Sequence, residues 1–168
     1  LSTPTYCEIT NAHKLIKKEG LFYNKITKKL FTGLVEFQYE NGKLRAKGWL
    51  NKGKEQGYWE DYNEDGTLFS TGYYINGSPS GNFKFYHENG ILEEEGKFIL
   101  GKKEGKWNTY WDNGNLKRQG IWKNGKAIGL FKFFDSNGKI IKTEIWKNGK
   151  MVKRIFEINM ENISFIIN

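Results

Sequence analysis

The sequence predicts an all-β protein, an elongated, twisted and curled single antiparallel sheet of stacked 24-residue β-hairpin repeats. The prediction rests on glycines that recur at a fixed period, a turn signal once per period and apolar columns in the same register. Gly33, Gly57, Gly81, Gly105 and Gly129 are spaced by 24 residues, as are Gly42, Gly66, Gly90, Gly114 and Gly138. Gly53, Gly77, Gly101, Gly125 and Gly149 keep the same step, and so do Gly48, Gly72, Gly96 and Gly120, with Glu144 in the fifth place. Of 20 glycines only Gly20 lies outside this grid. Abundant glycine and aromatic residues (16%) beside very little alanine also argue against a helical bundle.

Residues 1–32 form an N-terminal segment. Its first part, around the single Cys7, lacks periodicity, and Gly20 to Phe31 reads as a degenerate half-repeat, a return strand with four extra turn residues. Residues 33–152 are five in-register repeats. In each, a strand such as Leu34 to Tyr39 meets an acid-Asn-Gly type turn: Glu40-Asn41-Gly42, Glu64-Asp65-Gly66, Glu88-Asn89-Gly90, Asp112-Asn113-Gly114 or Ser136-Asn137-Gly138. Asn-Gly and Asp-Gly accept the positive φ of tight hairpins. A return strand and a second turn such as Asn76-Gly77 lead onward, so all neighbouring strands are expected to be consecutive and antiparallel.

Two residues after each first glycine stand Val35, Trp59, Phe83, Trp107 and Phe131; further columns are Leu44, Leu68, Leu92, Leu116 and Ile140, then Leu50, Tyr74, Phe98, Trp122 and Trp146. Stacked hairpins place like beside like, and facing glycines let rings lie flat on bare backbone. A three-residue step from the first column to Gln38, Tyr62, Tyr86, Tyr110 and Phe134 implies a bulge or sharp bend in the first strand. Residues 153–168 read as a degenerate capping repeat, with Ile155 and Ile158 on the apolar columns. Ile163 to Ile167 is expected to be a sticky exposed edge unless it folds back or pairs with another chain, a second copy included.

The pattern Gly-x-Trp/Phe-x-x-Tyr-x-x-Asn-Gly-x-Leu-x-x-x-Gly-x-Tyr/Trp-x-Asn-Gly resembles the bacterial variant of the MORN repeat. It is plainest as Gly105-Lys106-Trp107, Tyr110, Asn113-Gly114, Leu116, Gly120 and Trp122-Lys123-Asn124-Gly125. The resemblance runs from residue 33 to residue 152. It implies a curled single-sheet array that acts as a scaffold for protein association or for acidic lipids, and an antitoxin-like role in bacterial variants. No stretch of the chain matches the enzymatic domain often fused to the eukaryotic form.

Net charge is +8 with only three arginines, so lysine dominates and nucleic-acid binding is not expected. One cysteine excludes an internal disulfide and a zinc cluster. His13 and His87 sit on different elements with no nucleophile or orienting group beside them. The acidic turns lack calcium-loop spacing, and no glycine loop precedes a helix as a phosphate cradle would. The chain is therefore read as a non-enzymatic protein without metal or cofactor. Leu1 at the start is what removal of an N-terminal signal, or trimming of the chain, would leave; the localisation is open between the cytosol and export to the periplasm or cell surface, with a lean to export.

Binding features are clearer. The second and third repeats are net negative between positive ends. Glu60, Asp61, Glu64 and Asp65 with Glu93, Glu94 and Glu95 are expected to form a central acidic patch that steers a protein partner. Phe37, Phe85 and Phe133 share one repeat position with Asp61 and Thr109, as rim packing or as aromatic anchors; Trp111 joins them as a candidate contact. The alternative is an anionic lipid or cell-envelope surface bound through Lys14, Lys17, Lys18, Lys142, Lys147 and Lys150.

Overall fold

The computed structural model describes residues 9–156; Cys7, Ile158 and the segment Ile163 to Ile167 lie outside them. The five repeats form ten antiparallel strands: β4 (Gly33–Gln38), β5 (Leu44–Asn51), β6 (Lys54–Tyr62), β7 (Leu68–Ile75), β8 (Ser78–Tyr86), β9 (Leu92–Ile99), β10 (Lys102–Tyr110), β11 (Leu116–Lys123), β12 (Lys126–Phe134) and β13 (Ile140–Lys147). An eleventh, β14 (Lys150–Phe156), runs across the expected boundary at residue 152. The twelfth departs from expectation. Strand β1 (Thr10–Asn11) pairs parallel with β4, Thr10 opposite Val35, and so covers the first edge of a 12-stranded open sheet.

The N-terminal half-repeat also departs from expectation. A short 3₁₀ turn (Ala12–Lys14) leads to β2 (Leu15–Lys18) and β3 (Leu21–Asn24), a separate two-stranded hairpin and not a further rung of the sheet. The amide of Phe22 donates to the Gly53 carbonyl (2.9 Å), and Leu15 and Phe22 pack onto Val35, Phe37, Leu50 and Trp59. This hairpin is a lid on the first repeat.

The two turn types divide differently from the prediction. Two-residue type I′ turns occur between repeats, at Lys52-Gly53, Asn76-Gly77, Leu100-Gly101, Asn124-Gly125 and Asn148-Gly149, where both residues have positive φ. The acid-Asn-Gly turns are longer. Tyr39 donates to the Lys43 carbonyl (2.9 Å) and Gly42 to that of Tyr39 (3.0 Å), and only the glycine takes positive φ (82°). Their asparagines tie neighbouring repeats together: Asn89 donates to the Asp112 carbonyl (2.9 Å) and Asn113 to that of Ser136 (2.9 Å).

Strand alternation gives the sheet a ring face and an opposite face. On the ring face Val35, Trp59, Phe83, Trp107 and Phe131 are all buried. Trp59, Phe83, Trp107 and Phe131 occupy the space a Cβ would need at Gly48, Gly72, Gly96 and Gly120 respectively. The rings interlock with the return-strand column: Tyr74–Phe83 5.4 Å, Phe83–Phe98 5.0 Å, Phe98–Trp107 4.9 Å and Phe131–Trp146 5.7 Å between centroids. Between Trp107 and Trp122 the Lys103 ammonium intervenes, 3.8 and 5.4 Å from the two centroids. A single-layer sheet thus builds its core from one face.

A register step stands between Asp61 and Tyr62, Phe85 and Tyr86, and Thr109 and Tyr110, but this bulge is not in the first strand as expected. Within each hairpin the extra residue belongs to the return strand, at Phe69, Glu93 and Lys117. Across the next seam, β10 has two extra residues between Glu104 and Asn108.

Candidate interaction surface

Beside the aromatic ladder, on the ring face, cross-strand pairing creates a second row. Phe37 stands opposite Ala46, Asp61 opposite both Ala46 and Ser70, and Phe85 opposite both Ser70 and Glu94. Thr109 then faces Glu94 and Arg118, and Phe133 faces Arg118 and Lys142. The three phenylalanines, Asp61 and Glu94 thus belong to one strip. Its return-strand members Ala46, Ser70 and Arg118 were not singled out from the sequence, although all occupy one repeat position.

The aromatic candidates have different fates. Phe37 is buried (8% exposed) beneath the N-terminal hairpin, 5.1 Å from Phe22, with the Arg45 guanidinium 5.4 Å from its centroid. It is core, not an anchor. Phe85 is half-buried, 6.2 Å from both Phe83 and Phe69. Phe133 lies under the Lys142 ammonium, 4.2 Å away. Trp111 donates its indole N–H to the Phe134 carbonyl (3.2 Å) and carries Lys117 over its ring at 4.2 Å, so it links repeats.

The acidic residues do not form one patch. Glu60 and Glu95 point to the opposite face. Lys47 pairs with Glu60 (2.7 Å) and its hydrogen bond, with that of the Tyr62 hydroxyl, holds this carboxyl below the usual range. Glu95 accepts from the Tyr110 hydroxyl (2.8 Å) and the Asn108 amide (3.3 Å). Glu64 and Asp65 stand at an exposed turn, where Asp65 accepts from the hydroxyl and amide of Thr67. Glu94, on the ring face, is neutralised by Lys103 (2.7 Å) and Arg118 (3.2 Å). Consecutive strand residues alternate sides, so a run of three glutamates cannot share a face.

Asp61 differs from these. It faces the aromatic strip, accepts one hydrogen bond from the Ser70 hydroxyl (3.1 Å) and joins no ion pair among the described residues. Burial pushes its carboxyl above the usual range, against the lowering effects of Ser70 and the Arg45 charge. It lines a hollow of about 460 Å³ with Phe69, Tyr74, Phe83, Phe85 and Phe98. Phe69, 44% exposed, is shared with an adjoining hollow of about 530 Å³ that Glu93, His87, Glu88 and Asp112 also line. The His87 Nε2 donates to the Tyr110 carbonyl (3.0 Å), a bond between repeats that commits this nitrogen.

The basic candidates are divided between the ends of the array. Lys14, Lys17 and Lys18 belong to the N-terminal turn and hairpin, Lys17 lying 4.8 Å from the Phe22 centroid. At the other end Lys147 and Lys150 flank the last type I′ turn. Lys142 is held by Glu144 (3.1 Å), the carboxylate that replaces the fifth glycine. Glu144 is buried and also accepts from Arg154 (2.8 Å) and the Trp146 indole (3.1 Å).

Among solved structures, the chain is similar to part of a GtfA/B complex bound to UDP and GlcNAc, at 17% identity over 74% of this chain and 25% of that chain, with a TM-score of 0.35. It is also similar to part of accessory secretory protein 1, 2 and 3 in Streptococcus pneumoniae, at 13% identity over 89% of this chain and 19% of that chain, with a TM-score of 0.21. The chain therefore spans a quarter or less of the length of these matches. No curated protein matches it. The family model described as MORN repeat variant matches five times, at residues 31–48, 55–76, 79–99, 103–124 and 128–148. These matches fall on the same five hairpins that the glycine grid and the aromatic ladder define, and the chain belongs to the MORN repeat variant family.

Proposed function

We propose that this protein is a non-enzymatic interaction module that binds a protein partner on its ring face, over the second and third repeats. MORN repeats are in general modules for protein or membrane interaction and not a typical enzyme family. One observation carries the reading. The N-terminal hairpin covers the ring face over the first repeat, whereas Phe69 and Phe85 of the next two repeats flank an open aromatic hollow. Aromatic side chains bring large contact area at low entropic cost, which makes them the anchors of protein interfaces. An antitoxin- or immunity-like role, with the partner a toxin held inactive, is one form of this function.

The test places a photo-crosslinking amino acid at Phe69 on the ring face or at Tyr73, which is 50% exposed on the opposite face. A defined protein adduct from position 69 and not from 73 supports the reading. Adducts confined to position 73 refute it. Binding to anionic vesicles that is lost when Lys14, Lys17, Lys18, Lys147 and Lys150 are neutralised, with no protein adduct at 69, transfers the function to the lipid or envelope surface.

A further inference from the structure

Resting on that reading of the ring face, we propose that the Asp61 hollow receives an arginine or lysine side chain of the partner, as a cation held between a carboxylate and aromatic rings. The comparison between repeats carries this inference. Toward both ends of the ring face the chain supplies its own cations. Arg45 lies over Phe37, Lys103 over Trp107, and Lys142 over Phe133, and Glu94 is met by Lys103 and Arg118. In the second repeat neither of the two corresponding positions carries a cation. Ser70 occupies the position held by Arg118 and Lys142 in the fourth and fifth repeats. Pro79 occupies the position that Lys103 holds one repeat later.

Asp61 joins no ion pair among the described residues, although the Arg45 charge lies in the same hollow and acts on its carboxyl. Among the described residues no cation lies over Phe69, Tyr74, Phe83, Phe85 or Phe98. Arg45 lines the hollow but rests on Phe37 and makes no ion pair with Asp61. A carboxylate beside ring faces is the arrangement that attracts a cation, by charge and by the ring quadrupole together. Arginine suits it better than lysine, because its planar guanidinium stacks on rings while donating to both carboxylate oxygens. Glu93, beyond Phe69, extends the negative field along the route a basic segment would take.

The probe is an octapeptide of alternating arginine and valine, compared with its counterpart carrying neutral citrulline for arginine. Backbone amide shifts and titration calorimetry are read on the whole chain. The arginine peptide is expected to move the Phe69, Ser70 and Phe85 amides, and the citrulline peptide to leave them in place. Asp61→Asn is expected to weaken binding roughly tenfold or more. Ser70→Arg, which supplies internally the cation found at Arg118, is expected to abolish binding with the fold retained. Glu60→Gln on the opposite face should change nothing. Equal affinity for wild type, Asp61→Asn and Ser70→Arg, or shifts centred on Glu60 and Glu95, would overturn the proposal. Crosslinks at Phe69 that persist in the Asp61→Asn and Ser70→Arg proteins would overturn the cation while leaving protein binding on this face intact. Peptide binding that depends on Asp61, with no protein adduct at Phe69, would do the reverse.

Discussion

The indole of Trp107 lies flat on Gly96, so close that a Cβ on that glycine would fall inside the ring's van der Waals envelope. The same contact joins Trp59 to Gly48, Phe83 to Gly72 and Phe131 to Gly120. It explains how one layer of strands buries large rings without a second sheet: each ring uses the neighbouring bare backbone as its floor. Ring and glycine are one packing unit, repeated at every step.

Gly96→Ala is therefore expected to cost about 2–3 kcal/mol, by overpacking in a site that cannot expand. Gly90→Ala provides the contrast. Its surroundings are open and only its φ of 81° opposes a side chain, so about 1 kcal/mol is expected. Urea denaturation with unchanged m-values measures both.

The fifth repeat has no aromatic residue to lie on the glycine position, since Arg154 stands opposite Glu144 and Ile155 falls opposite Thr143 on the other face. Glu144 occupies the space and gathers Lys142, Arg154 and Trp146. Glu144→Gln is expected to destabilise by about 1–3 kcal/mol. Glu144→Gly should also destabilise, and Arg154→Trp in the same chain, opposite residue 144, should recover part of the loss, a non-additive pair. Burial alone would raise the Glu144 pKa, but the hydrogen bonds from Lys142, Arg154 and Trp146 hold it below the usual range. A depressed folded pKa means that this stability is present above the unfolded value and lost as pH falls through the folded one. Acid titration of wild type against Glu144→Gln shows the difference.

For Asp61 the sign is opposite. Burial raises its folded pKa, so stability declines as pH rises from the ordinary carboxylate value through the raised one. Asp61→Asn should remove that slope and leave the protein at least as stable at neutral pH. Thermal melts of both proteins across the acid range would reveal a wild-type penalty, and a less stable Asn variant would contradict it.

Leu100 holds φ at 47° in a type I′ turn where Asn76, Asn124 and Asn148 stand in other repeats. Its side chain is 68% exposed, so little packing is lost on replacement. Leu100→Asn should stabilise by about 0.5–1 kcal/mol through relief of left-handed strain. Chemical denaturation provides the check.

Much of the repeat was legible because its causes are local. Gly53, Gly77 and their equivalents mark turns through φ, and the Trp59 and Phe83 columns mark strands through spacing. The N-terminal hairpin was not, because β1 reaches β4 past two intervening strands and Leu15 finds its contacts only in the assembled first repeat. The candidate site was half legible. Phe85 and Asp61 were correctly placed in one column, but Phe69, Ser70 and Glu93 join or leave it according to a bulge whose extra residue sits on the return strand.

By itself the sequence determined the period, the number of repeats, the turn positions within them and which columns carry rings and glycines, since each follows from backbone preference or from identity between copies. Tertiary structure alone decided which acids face the rings. Side chains alternate with period two, so one bulged residue reassigns the faces of those around it. Glu60 and Glu95 therefore lie on one side with partners of their own, and Asp61 lies on the other, among rings and with no ion pair among the described residues.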